Sequence, residues 1–184
     1  MILLAQQIFT EALTIRQKHY GDEPNRDVSF TMYNLGLCYQ LQGMHEDAIR
    51  CYTETLRIEK QVLGDNHKDV SMTMYKLGEV HQQQGQQEQD GNAKAMEFFQ
   101  ATLEIEQQRQ REGEGGGDLT VMARTLNEIG NIHMLNGNTS GMMESFGRAA
   151  RYFEEAGHPM MDCITVPGKL YGFENICPLA SSAA

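Results

Sequence analysis

The sequence predicts an all-α chain in which antiparallel helical hairpins stack into an α-solenoid, and three observations predict it. Ser29-Phe-Thr-Met-Tyr-Asn-Leu-Gly36 returns as Ser71-Met-Thr-Met-Tyr-Lys-Leu-Gly78, with Leu35 and Leu77 42 residues apart. A fainter copy, Ala123-Arg-Thr-Leu-Asn-Glu-Ile-Gly130, follows 52 residues later. Within each copy the apolar residues recur at helical spacing. Self-similarity at such a period marks supersecondary units that bury their apolar faces by stacking on one another. A chain of this kind works through its surface.

The elements follow in order. An opening helix over about 2–19 carries Ala5, Phe9 and Leu13, which match Ala48, Tyr52 and Leu56 of a later second helix. Its own first helix is expected to be missing, which would leave Ile2, Leu3, Leu4, Ile8 and Phe9 as an uncapped apolar face, the mark of a portion of a longer array or of an end that self-associates. Met32, Leu35, Gly36, Tyr39 and Leu41 define a first helix over about 29–42. A glycine inside a helix costs about 1 kcal/mol relative to alanine. The return of Gly36 as Gly78 and Gly130 therefore predicts a helix approach too close for a Cβ. Gly43 ends that helix, and a second helix over about 45–62 carries Ala48, Ile49, Tyr52, Leu56 and Ile58. Gly64-Asp65-Asn66-His67 closes the unit with turn chemistry.

The expected organisation is a truncated unit plus linker over 1–28, repeats over 29–70 and 71–122, a degenerate repeat over 123–156, and a cap or tail over 157–184. The second repeat has ten extra residues. Gly85 and Ala95 stand ten apart where Gly43 and Ala48 stand five apart, which puts an insertion at 86–92. A second insertion falls in the linker around 111–118, and both polar stretches read as flexible surface loops. The tail holds Pro159, Pro167 and Pro178 among Tyr171, Phe173 and Ile176, and part of it is expected to fold back on the last hairpin.

Leu35-Gly36-x-x-Tyr39 followed by Ala48-x-x-x-Tyr52 closely resembles the tetratricopeptide repeat. The copies are Leu77-Gly78-x-x-His81 with Ala95-x-x-x-Phe99, and Ile129-Gly130-x-x-His133 with Met142-x-x-x-Phe146. The usual Trp of that family is Met32, Met74 or Leu126 here. The 42-residue period, Ala12-Leu13-Thr14-Ile15-Arg16, and the linkers Gly21-Asp22 to Asp27-Val28 and Gly64-Asp65 to Asp69-Val70 resemble the kinesin-light-chain variety. The resemblance covers about residues 5–156 and implies a right-handed twist. It also implies a concave groove, lined by the first helices, that binds peptides. The implied groove residues are Phe30, Tyr33, Asn34 and Leu37, then Met72, Tyr75, Lys76 and Glu79, then Arg124, Asn127 and Asn131. Asn offers both donor and acceptor and can hold a peptide backbone whatever its sequence.

Composition narrows the partners. A net charge of −10 disfavours nucleic acid and anionic membranes, which need clustered Lys or Arg, and would steer a basic partner favourably; the protein or peptide partner is what the resemblance implies. No apolar run approaches the ~20 residues of a membrane span. Cys38, Cys51, Cys163 and Cys177 form no C-x-x-C pair, which fits reduced thiols in the cytoplasm. His81 and His133 occupy the Tyr39 position, so repeat packing accounts for them without a metal. There is no H-E-x-x-H, and Gly113-Glu-Gly-Gly-Gly117 lacks the Lys-Ser/Thr of a phosphate loop. No cofactor or metal is implied. The expectation is a non-enzymatic interaction scaffold. The alternatives are a structural portion of a larger solenoid, such as a kinesin-light-chain-like adaptor, or an enzyme using a His or Cys.

Overall fold

The computed structural model describes residues 1–85, 90–113 and 116–157. Seven helices account for nearly all of them: α1 (Ile2–Tyr20), α2 (Arg26–Leu41), α3 (His45–Leu63), α4 (Lys68–Gly85), α5 (Gly91–Glu112), α6 (Leu119–Leu135) and α7 (Thr139–Glu155). No strand occurs among the described residues. The all-α repeat fold read from the sequence is the fold observed. The expected cap or tail over 157–184 lies outside the described residues beyond Gly157. The chain divides into two compact units, Met1–Ala101 and a second beginning at Thr102.

Helix ends follow local chemistry. α2 begins three residues before the repeat signature because Asn25 caps it, its Oδ1 accepting from the Asp27 amide at 2.8 Å. Glu46 and Asp47 in the first turn and Lys60 in the last complement the dipole of α3. Asp118 caps α6 by accepting from the Thr120 and Val121 amides, and Asn138 caps α7 through the Gly141 amide. The α2–α3 turn places Gly43 at φ 73°, a left-handed conformation that costs glycine nothing.

In the first unit α1 packs on α2, α2 on α3, and α3 on α4. Ala48, Tyr52, Leu77 and Val80 form a buried cluster, with Tyr33, Tyr39, Ile49, Leu56 and Phe98 against it. The repeated glycines are close-contact positions. A Cβ on Gly36 would stand 2.9 Å from Cε1 of Tyr52, and one on Gly78 would stand 2.6 Å from Cε1 of Phe99. The second unit repeats the device: a Cβ on Gly130 would stand 2.5 Å from Cε1 of Phe146, where α6 packs on α7. Each of these three rings is fully buried.

Two expectations about loops are corrected. Residues 86–89 lie outside the described set, but Gly91 and Asn92, read as part of the inserted turn, belong to α5. Gly91 is buried against Gly85 and the His81 carbonyl, where any Cβ would collide. Likewise Arg111 and Glu112 are the last turn of α5. Gly117 and Asp118 lie against Glu106, whose Oε2 accepts the Asp118 amide at 2.8 Å. The polar composition of both stretches concealed these contacts.

α1 has no buried residue. Leu3, Leu4, Ile8 and Ile15 are all more than half exposed, and Phe9 is half-buried.

Candidate functional site

The first-helix residues expected to face a groove are not all available. Phe30 is 61% exposed and Met72 37%, while Tyr33, Asn34 and Leu37 are half-buried. Tyr75 is 4% exposed and packs its ring 5.5 Å from that of Phe99, which makes it core rather than an accessible anchor. Tyr33 makes the equivalent contact with Tyr52, also at 5.5 Å, yet keeps part of its surface open. Asn34 turns back on its own helix, its Nδ2 donating to the Phe30 carbonyl at 2.7 Å. Lys76 and Glu79 form an ion pair of 2.6 Å, with the Lys76 ammonium 5.9 Å from the Tyr75 ring centre. Their charges therefore answer each other.

In the second unit Arg124 is exposed. Asn127 and Asn131, one turn apart on α6, are buried, and Asn131 donates to Glu128 Oε2 at 3.2 Å. The Oδ1 atoms of both lack a donor. These two amides are held inside the helix packing rather than presented at a surface.

The structure gathers Phe30, Tyr33 and Met72 around one pocket of about 280 Å3 on the face shared by α2 and α4. Arg26 and Ser29 of α2, Glu59 of α3, and Lys68, Asp69 and Thr73 of α4 complete it. Glu59 was not among the expected site residues. Its carboxylate is buried and accepts from Thr73 Oγ1 at 2.7 Å. Burial pushes its pKa up to about 7; the Thr73 hydrogen bond works against that, the negative charge of Asp69 with it, and Arg26 against it. Arg26 is itself paired with Asp69 at 3.1 Å. The only sequence signal for Glu59 was the return of Ile58-Glu59 as Ile105-Glu106.

Four other reactive side chains, His81, His133, Cys38 and Cys51, sit against neighbouring groups. His81 stacks on Phe98 at 5.5 Å, and burial followed by the charge of Lys94 lowers its pKa. His133 Nδ1 lies 3.2 Å from Asn138 Nδ2. Cys38 and Cys51 are free thiols, and burial raises both, Cys51 to about 11 with help from Asp47. Thiols held so far above neutrality carry little thiolate. No three His, Cys, Asp or Glu residues among those described group as a metal site requires. No helix among them is long and apolar enough to cross a membrane.

Comparison with known proteins adds the relationship. Residues 27–108 match the sequence family described as Tetratricopeptide repeat. No curated protein matches the chain. The fold is similar to that of BtubC (BKLC) from P. vanneervenii, with TM-score 0.74 and 20% identity over 94% of this chain. The chain spans 63% of the length of that protein. It is also similar to a Podosopora anserina protein assigned as a kinesin light chain with nearly identical TPR-like repeats. There the TM-score is 0.60 and the identity 14%, over 85% of this chain and 79% of the other.

Proposed function

We propose that this chain, whose residues 27–108 match the tetratricopeptide-repeat family, is a non-catalytic interaction module holding a peptide. The bound segment lies along the first-helix face of α2 and α4. One observation carries this reading: the pocket on that face leaves Phe30 and Met72 exposed beside a half-open Tyr33. Exposed apolar and aromatic side chains around a concavity are what dominate binding energy at interfaces. The half-buried Leu37 extends the apolar strip along α2, and the paired Lys76 and Glu79 give α4 a polar edge. Peptide binding is the use that needs no reactive side chain, and the buried Cys38 thiol and packed His81 fit it. A reducing, cytoplasmic setting suits Cys38 and Cys51.

Retention of a random nonapeptide library on the immobilised chain tests the proposal. Phe30→Ser and Met72→Ser, both at exposed positions, are expected to lower retention about tenfold each while the helical circular dichroism stays unchanged. Undiminished retention by both variants would place any binding elsewhere on the chain.

A further inference from the structure

The pocket between α2 and α4 offers a charge as well as apolar walls. Glu59 lines it while being only 6% exposed. Its hydrogen bond comes from Thr73 to Oε2, and among the described residues Oε1 has no donor and no cation forms an ion pair with the carboxylate. A buried carboxylate lacking a cation is costly to the fold, and a ligand that brings one removes that cost. The volume, about 280 Å3, lies just below the range for small-molecule sites, roughly 300–1,000 Å3, and suits a single side chain.

We propose that this pocket takes a lysine or arginine side chain of the bound peptide, with its stem against Phe30, Tyr33 and Met72 and its cationic head at Glu59. The inference rests on the peptide-binding reading and adds the chemistry of the partner.

The other charges around the pocket are consistent with it. From α2 comes Arg26 and from α4 Asp69, and these two neutralise each other at 3.1 Å. His67, just before α4, approaches Asp69 at 3.6 Å and so faces the same carboxylate. Lys68 is exposed at the rim, where solvent and salt screen its charge within about 8 Å. Glu59 is left as the buried charge of the pocket. The net charge of −10 steers basic segments toward the chain.

The test uses the full chain, immobilised, and nonapeptide pools randomised everywhere but the central position. That position is fixed as Lys, Arg, norleucine or Glu. The Lys and Arg pools are expected to be retained about tenfold over the norleucine and Glu pools at about pH 8.5. With the carboxyl near 7, the excess should fall to near parity at about pH 5.5, where Glu59 is protonated. Glu59→Gln keeps the side-chain size and an acceptor for Thr73, and it should abolish the excess of the Lys and Arg pools over the norleucine pool at every pH. Equal retention of the Lys and norleucine pools, or an excess that survives in Glu59→Gln, would overturn the inference and leave the peptide-binding reading standing. Retention of no pool at all would overturn both. Phe30→Ser, on an exposed position, is expected to weaken all pools alike and keeps the comparison interpretable if Glu59→Gln folds poorly.

Discussion

Glu59 and Glu106 occupy the same place in successive second helices, each following an isoleucine, and each is buried. Their surroundings differ. Glu106 is closed off, with Arg109 at 2.6 Å and the Asp118 amide at 2.8 Å both donating to its Oε2. Glu59 has one hydroxyl, that of Thr73, and opens on a pocket. The cause is local: one turn after Glu106 stands Arg109, and one turn after Glu59 stands Val62. Asp118, just ahead of α6, donates its amide to Glu106, whereas among the described residues Glu59 receives no such bond. In α1 the same register holds Arg16, which donates to the Asp27 carbonyl at 2.7 Å and reaches Thr31, the counterpart of Thr73. Repetition thus fixes the helices and leaves this one position free to become a rigid joint or an open site.

The largest effect is expected on the closed side of the comparison. Glu106→Leu strands the Arg109 guanidinium and the Asp118 amide and should cost about 3 kcal/mol in urea unfolding. A variant as stable as the parent would show that the joint contributes nothing and that the two glutamates are equivalent. The glycine contacts sharpen the contrast from the other direction, because there the repeats agree. Gly36→Leu, Gly78→Leu and Gly130→Leu should each lose about 1–3 kcal/mol by overpacking against Tyr52, Phe99 and Phe146. One tolerant site among the three would end the claim that the hairpins share a single packing device.

A smaller effect separates the open glutamate. Its folded pKa lies above that of an exposed carboxyl, so the folded chain binds the proton more tightly than the unfolded one. Stability contributed by the neutral form is therefore present at low pH and lost as pH rises through about 7. The loss should reach about 1–2 kcal/mol, less than the full shift implies, because solvent entering the pocket screens the charge. Glu59→Gln should flatten this part of the pH profile, as followed by urea unfolding between about pH 5 and pH 8. A profile identical to the parent's would assign the dependence to another group. The smallest effect concerns α1, where Ile8 is 55% exposed. Ile8→Ser should leave unfolding within about 0.5 kcal/mol of the parent and reduce self-association in sedimentation. A parent chain that is monomeric at high concentration would contradict an associating α1 face.

Much of this fold was legible from periodicity alone. The 42-residue return of Leu35-Gly36, paired with Tyr52 and Phe99, placed the helices and named the glycine contacts. The site was less legible, because adjacent groove positions divide differently between core and surface. Tyr33 and Tyr75 are equivalent in sequence and both meet the aromatic ring of their hairpin, yet only Tyr33 stays partly open. Asn127, at the same register, is buried outright. Glu59 escaped notice because whether a charge is answered depends on a residue one turn away and on how a linker folds, and the repeat pattern encodes neither.

The difference between the two glutamates is most directly tested by following the Glu59 side-chain carboxyl by carbon NMR across pH, assigned with Glu59→Gln. A midpoint near 7 that moves down when the arginine-centred peptide pool is added is the expected result. A midpoint in the usual carboxylate range of about 4, unmoved by that pool, would contradict it.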